Sequence, residues 1–293
     1  MTNSSEDDAA RFQNLHFLYR FRSAKTNYFK EELEQAIKNR AIYLSSIETQ
    51  NDPFDSRPVF QESTLKEVNK ALKKQYGNRP VVEESNIMRR FLNKEDRRRA
   101  LKNLRPGVAT AQLLQKAIQD HVRGFRRRAK IGCLSERWDS ILMWSHYTNS
   151  HSGYCIEYKV SKDLKTPSIG KIPMPVVYST TRSNLVTMDL MEMINEVKSA
   201  ESSSINLPYK IIQALLLEKS VDWAYEKEWR VHSMDEKLPG YRKFSWLTAT
   251  RVILGSNISE KNILSIRSAL QQALPLAKAA LHATEYKLVL EEV

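Results

Sequence analysis

The stretch Ile131–Val160, IGCLSERWDSILMWSHYTNSHSGYCIEYKV, most constrains what this chain can fold into. Both of its ends alternate with a period of two, as half-buried strands do. At the front, Ile131 and Cys133 fall on one side with Ser135 following; at the back, Tyr154, Ile156 and Tyr158 oppose Cys155, Glu157 and Lys159. Between them Ile141, Leu142, Ser145 and Tyr147 suit one short helix, started by Asp139 or Ser140. A turn through Gly153 leads into the second strand. Strands joined this tightly bring Ser135 close to the Trp144–Tyr147 tip. Such a juxtaposition can wall a small-molecule pocket.

The flanking sequence supplies more strands. Leu15–Phe21 alternates, with Phe17, Tyr19 and Phe21 opposite Leu18, Arg20 and Arg22. An arginine in such a strand must meet an anion, a carboxylate or solvent, and Arg20 is favoured over Arg22 to face a ligand. A helix over Tyr28–Arg40, with Phe29, Leu33, Ala36 and Ile37 inward, precedes a strand over Ala41–Ser46. The turn Gln50–Asp55 can satisfy neighbouring amides through its Asn and Asp side chains. Alternatively, Asn51 or Asp55 holds a ribose or an arginine at a pocket rim. Three helices are predicted over Glu62–Tyr76, Ser85–Leu104 and Val108–Arg128. Beyond the central stretch come a strand over Pro173–Ser179 and helices over Leu185–Val197 and Leu207–Glu218. An extended stretch, Trp223–His232, would place Glu226, Glu228 and Arg230 on one face, opposite Tyr225, Trp229 and Val231. Arg251–Leu254 reads as a strand, Ser259–Ala273 as a helix and Tyr286–Leu290 as a last strand. The class expected is α+β: a split, mixed sheet carrying a basic helical insertion at 62–130. Residues 1–14 are expected to be poorly ordered, and 15–293 to form one domain.

Composition narrows the class further. In 293 residues, 41% hydrophobic and 9% aromatic content excludes a disordered chain. No apolar run approaches the ~18 residues of a membrane span. The polar, acidic start MTNSSEDDAARF is unlike a secretory signal, and two cysteines suit a reducing compartment, so a soluble cytoplasmic protein is expected. The net charge of +12 is concentrated: Arg79–Lys130 holds fifteen Lys/Arg against five Asp/Glu, a net +10. Its clusters include Arg97, Arg98, Arg99 and Arg126, Arg127, Arg128. They suit either a polyanion or a solvated helical face.

Cys133, His146, His151 and Cys155 are zinc-type ligands, but no close CxxC or HxxxH pair nucleates a site, so no metal is expected. His146 reads as a pocket hydrogen-bonding group and His151 as a turn holder. Asp52, Asp55 and Asp139 sit in unrelated turns, which disfavours a metal-dependent nuclease, and no serine occupies a nucleophile elbow.

The motifs NDPFD, CLSE, MWSHY, EKEWR and VILGS resemble a bacterial family known only as domain of unknown function 2971, from about Leu18 to the C-terminus. The order of strand arginine, strand serine and Glu-x-Glu is in turn similar to the Arg–Ser–Glu subgroup of ADP-ribosyltransferases. That resemblance implies a split-sheet fold with NAD as substrate. Arg20 would hold its phosphate and Ser135 would order the site. Glu228 would meet the nicotinamide ribose, and Glu226 would serve the acceptor. Tyr19, Asn51, Trp144, His146 and Tyr147 would complete the NAD site, the aromatics flanking nicotinamide. CLSE departs from the subgroup's usual serine run, and no glycine-rich phosphate loop is visible. The activity implied is that of an ADP-ribosyltransferase or NAD glycohydrolase, with a nucleic-acid or acidic protein target. By analogy the role is that of a bacterial toxin or anti-phage effector. The alternative is a non-catalytic nucleic-acid-binding protein acting through its basic helices.

If the arginine clusters contact polyanions, replacing Arg97, Arg98, Arg99, Arg126, Arg127 and Arg128 by serine will flatten the plot of log affinity against log salt. The expected change for duplex DNA is about 0.9 per arginine that touches phosphate. Titrations of duplex DNA at several salt concentrations measure it, and an unchanged slope assigns these arginines to intramolecular pairing.

Overall fold

The alternation in the central stretch is realised as two strands around a short helix, and a large sheet is assembled on them. The computed structural model describes residues 5–25, 28–61, 67, 94–95, 98, 119–120, 122–162, 172–186, 189, 209–233 and 238–293. In chain order the named helices are α1 (Ser5–Asn14), α2 (Phe29–Asn39), α3 (Ile141–Tyr147), α4 (Tyr209–Ile212) and α5 (Glu260–Leu270). The strands begin with β1 (Phe17–Arg22), β2 (Ala41–Ser46), β3 (Val59–Gln61), β4 (Lys130–Ser135) and β5 (Tyr154–Val160). Next come β6 (Met174–Pro175), β7 (Val177–Ser179), β8 (Asn184–Val186), β9 (Glu218–Ser220) and β10 (Glu228–Ser233). The last are β11 (Gly240–Lys243), β12 (Leu247–Leu254), β13 (Leu276–Leu281) and β14 (Leu288–Glu292).

The chain divides into two compact units. The first comprises Met1–Asp55, Arg128–Thr180 and Lys219–Val293. It holds a ten-stranded sheet in the order β11-β2-β4-β1-β5-β12-β13-β14, with β10 joined to β4 and β6 to β10. Only β12 and β13 run parallel among these pairs, joined through α5, so the sheet is mixed and the class is α+β. The strands expected at Leu15–Phe21, Ala41–Ser46, both ends of Ile131–Val160, Trp223–His232 and Arg251–Leu254 have counterparts in this sheet as β1, β2, β4, β5, β10 and β12. The second unit comprises Ser56–Arg127 and Thr181–Glu218. In it β3 pairs with β8 in parallel, and the turn Tyr209–Leu217 buries Ile211, Ile212 and Ala214–Leu217. The expected insertion at 62–130 falls mostly in this unit, which also takes in 181–218. Its three predicted helices lie largely outside the described residues. Among the described residues, no helix is long and apolar enough to cross a membrane.

The sheet splits at one residue pair. β1 pairs with β4 at a single register position, Tyr19 opposite Ser135. From there β1 continues along β5 as far as Arg22 opposite Tyr154, while β4 turns to β2 at Ile131 and Lys130. One face packs Leu18, Leu134, Trp229 and Tyr158 against the buried side of α2. The other packs Tyr19, Phe21 and Cys155 against Met143 and Trp144 of α3. Ser140 caps α3 by accepting the Met143 amide, and Ser259 caps α5 through Asn262. The turn after α3 places Asn149, Ser150 and His151 at φ of 53°, 57° and 62°. A Cβ on Gly153 would meet the Arg22 carbonyl at 2.1 Å, so only glycine lets these two strand ends approach.

Several boundaries differ from the sequence reading. Ser5–Asn14 is helical instead of unordered. Leu185 and Val186, expected to open a helix, pair instead in β8, and the helix expected to reach Glu218 ends in a π-helical turn, Gln213–Leu217. The strand expected from Trp223 begins only at Glu228, because Val221–Glu226 coils as a 3₁₀ turn and Lys227 takes a left-handed φ of 46°. Strands β11 and β13 carry no clear alternation and were not foreseen.

β10 also carries His232, buried opposite Ile131, whose Nδ1 finds no hydrogen-bond partner among the described residues. Burial lowers its pKa to about 4 from the ordinary 6.5. The unfolded chain therefore takes up a proton between these values that the folded chain refuses. Stability will fall as the pH falls through that window, by up to about 1.4 kcal/mol per unit, and level off below it. His232→Leu removes this component. Urea midpoints of both proteins from pH 4 to 7 check it, and parallel curves would refute it.

Candidate active site

The split leaves an opening between β1 and β4, and a cavity of about 170 Å³ occupies it. β1 contributes Tyr19, Arg20 and Arg22; β4 contributes Cys133 and Ser135. Asn51 and Tyr147 of α3 form the rim side, and Lys219, Glu226 and Glu228 complete the wall. Because the sheet parts here, the cavity meets side chains from both of its faces.

The carboxylate wall is a connected network. Ser135 Oγ donates to the Glu226 carbonyl at 2.6 Å, which fixes the 3₁₀ turn against the end of β4. The left-handed Lys227 then reverses the chain so that both glutamate side chains reach the same space. Tyr147 Oη donates to Glu226 Oε1 at 2.5 Å and accepts from Asn51 Nδ2 at 3.3 Å. Lys219 Nζ donates to Glu226 Oε2 at 2.5 Å and to Glu228 Oε2 at 3.3 Å. Arg230 grips Glu228 through Nε at 2.8 Å and Nη2 at 3.0 Å. It also grips Asp55 through Nη1 at 2.8 Å and Nη2 at 2.6 Å. Tyr178 Oη accepts the Glu228 amide at 2.8 Å.

Electrostatics separate the two glutamates. Burial pushes both upward, but Arg230 and then Lys219 outweigh it at Glu228 and hold it down to about 2. At Glu226 burial and the Glu228 charge win, so its pKa lies above the ordinary value despite Lys219 and Tyr147. Glu228 is thus a fixed anion, and Glu226 the carboxyl that binds a proton more readily. Burial and Glu226 also raise Tyr147, which therefore remains a neutral donor. A carboxylate offers about four acceptor positions. Tyr147 and Lys219 occupy two on Glu226, leaving room for a ligand.

The opposite wall is cationic. Arg20 donates to Glu32 Oε1 at 3.0 Å and to the Tyr43 carbonyl at 2.7 Å, while its Nη1 has no partner among the described residues. Arg22 shares the same Glu32 oxygen at 2.6 Å and is more open, with a third of its side chain exposed. Two arginines against one glutamate leave an excess of one positive charge.

Tyr19, Arg20, Asn51, Ser135, Tyr147, Glu226 and Glu228 all line this cavity. Trp144 and His146 do not join them in lining the cavity. Trp144 is buried in the core, where its indole N–H meets the Trp138 carbonyl at 2.6 Å and its ring abuts Phe21. His146 is exposed and shares a hydrogen bond with Tyr225 Oη at 2.9 Å. His151 holds its turn by bonding Ser145 Oγ at 3.1 Å. Arg97 and Arg99 lie outside the described residues; Arg98 and Arg127 are exposed, and Arg126 Nη1 donates to the Ser56 carbonyl. Among the described residues, no group of three or more His, Cys, Asp or Glu is arranged to hold a metal ion. Lys219 and Tyr178 were not anticipated, since nothing local marks a lysine or tyrosine that acts through distant partners.

Arg230 has no exposed side-chain surface and Asp55 almost none. Arg230→Met leaves two buried carboxylates short of their shared cation, and should cost about 3–5 kcal/mol. Lys38→Ala, which removes the exposed Glu34 pair, should cost about 0.5 kcal/mol or less. Urea denaturation compares them, and a cost below ~1 kcal/mol at Arg230 would refute its structural weight.

No curated protein and no solved structure matches the chain. The model of a family described as "Protein of unknown function (DUF2971)" matches residues 143–231, which run from α3 to β10 and include Tyr147, Lys219, Glu226, Glu228 and all but the end of β10. The resemblance to domain-of-unknown-function family 2971 thus holds over the segment that supplies the carboxylate wall.

Proposed function

We propose that the cleft binds NAD and cleaves its nicotinamide–ribose bond, as an ADP-ribosyltransferase or NAD glycohydrolase does. The observation that carries this reading is the bipolar cleft. The Arg20–Arg22–Glu32 wall has one positive charge in excess. Across from it, among the described residues that line the cavity, Glu226 and Glu228 outnumber Lys219 by one negative charge when all are ionised. NAD carries its own opposites, an anionic pyrophosphate and a cationic nicotinamide, and the two walls suit them. The cavity of about 170 Å³ is below the range of drug-sized pockets, so it takes the nicotinamide–ribose end with its adjoining phosphate and not the whole dinucleotide.

Cleavage of that bond builds positive charge on the ribose, as in glycoside hydrolysis. Glu228, anionic and held rigidly by Arg230, would stabilise that charge where water is scarce. Glu226, with spare acceptor capacity and a raised pKa, suits proton transfer from an incoming acceptor or water. Ser135 acts through the turn it fixes, and Arg20 Nη1 is the donor left for a phosphate oxygen. The acceptor is a nucleic acid or an acidic protein, in line with the basic residues 79–130, and the role by analogy is that of a toxin or anti-phage effector. The competing reading, a nucleic-acid-binding protein without chemistry, is favoured by the exposed Arg98 and Arg127.

Glu228→Gln keeps size but removes charge, so NAD binding will survive while nicotinamide release falls by orders of magnitude. Arg20→Ala will weaken binding first, and Glu226→Gln will spare hydrolysis more than transfer. Calorimetric NAD titration and chromatographic nicotinamide assays on folded variants read these outcomes. A wild-type protein that neither binds NAD nor releases nicotinamide, with nucleic-acid and protein acceptors present, refutes the reading.

A further inference from the structure

Lys219 lies on β9 with 4% of its side chain exposed, between the two glutamates of the cleft. Its ammonium group reaches both, at 2.5 Å and 3.3 Å, and sits 4.7 Å from the centre of the Trp223 ring. The two glutamates differ in what else holds them. Glu228 has the Arg230 fork on both oxygens, whereas Glu226 has the neutral Tyr147 hydroxyl. A buried carboxylate beside a second one, with only a hydroxyl for support, takes up a proton. We infer that Lys219 is a positioning residue for the proposed chemistry: it bridges Glu226 to Glu228 and keeps Glu226 ionised beside its charged neighbour. This rests on the reading of the cleft given above and adds a residue to it.

The surroundings agree. Tyr147 of α3, Cys133 of β4, Tyr178 of β7 and Tyr225 of the 3₁₀ turn face the pair, and none brings a positive charge. Arg230 is shared between Glu228 and Asp55. Among the described residues, Lys219 is therefore the cation in contact with Glu226, and without it Asp55, Glu226 and Glu228 would outnumber Arg230 by two charges. Burial and Glu228 already raise the proton affinity of Glu226, with Lys219 the first group to oppose them. Removing Lys219 shifts that balance towards the protonated form. Arginine, with five N–H donors, can replace the bridge.

The test compares wild type, Lys219→Met and Lys219→Arg by ¹³C NMR titration of δ-labelled glutamate, with Glu226 assigned through Glu226→Gln. In Lys219→Met the Glu226 midpoint should rise by about one pH unit or more; in Lys219→Arg it should stay within about half a unit of wild type. The acid limb of the profile for ADP-ribose transfer to an acceptor, the step Glu226 serves, should move up with it. At neutral pH kcat for transfer should drop about tenfold, with KM changing less than about twofold. The titration needs no substrate, so a protein inert toward NAD fails the functional reading while still deciding the role of Lys219. An unmoved midpoint in Lys219→Met, or an equal rise in Lys219→Arg, overturns the proposal. If Lys219→Met does not fold, Lys219→Gln takes its place. Failure of both to fold makes the lysine a stability residue and overturns the proposal as well.

Discussion

Arg230 carries a permanent charge with no exposed surface, and the arrangement of the cleft follows from that burden. An isolated ion in such a place costs many kcal/mol, so partners must be built around it. Asp55 and Glu228 supply two carboxylates, one of them from a turn far away in sequence. Their combined charge exceeds that of the arginine, and the adjoining Glu226 adds to the excess. Lys219 answers part of it, and Tyr147 and Asn51 spread the remainder through hydrogen bonds. The polar wall is thus a chain of compensations that starts from one arginine and ends at an open carboxyl. Such a network is rigid because each member is costly to release.

Where the sequence was legible, a single periodicity decided the outcome. Ile131–Val160 had to fold as strand, helix and strand because its apolar positions repeat at two, then near 3.6, then at two. β2 was readable to the residue for the same reason, ending at Ser46 where a short turn follows. The cleft residues followed from those strands: once Tyr19, Ser135 and Glu228 lie on neighbouring strands, the register aligns them in one row. LAKAAL, by contrast, is rich in helix formers, yet it runs beside β12 because pairing there buries Ala277 and Ala279.

The misplaced residues show what local pattern cannot carry. Trp144 and Tyr147 lie one turn apart on α3, and either could have faced the cleft. The indole went inward because its N–H could meet the Trp138 carbonyl in the core, while the tyrosine hydroxyl found Glu226. The Glu-x-Glu pair was right in composition and wrong in conformation. A left-handed Lys227 separates the two residues, and the turn it closes is fixed by Ser135, a partner 91 positions upstream. Tertiary contacts of that range leave no trace in neighbouring residues.

The same long separations bear on how the molecule comes into being. The parallel pair β12–β13 and the hairpin β13–β14 close over short stretches of chain, whereas Arg230 and Asp55 meet across 175 residues. Chain-closure entropy and topology put local pairings early and distant ones late. The C-terminal strands can therefore be in place before the row Tyr19–Ser135–Glu228 is joined. During synthesis, β1 and β4 leave the ribosome before β10 exists, so the opening between them is complete only once Glu228 arrives. A nascent or truncated chain lacking β10 has the cationic wall without the anionic one. The bipolar cleft therefore forms only after β10 has been made, and chemistry that needs both walls is absent until then.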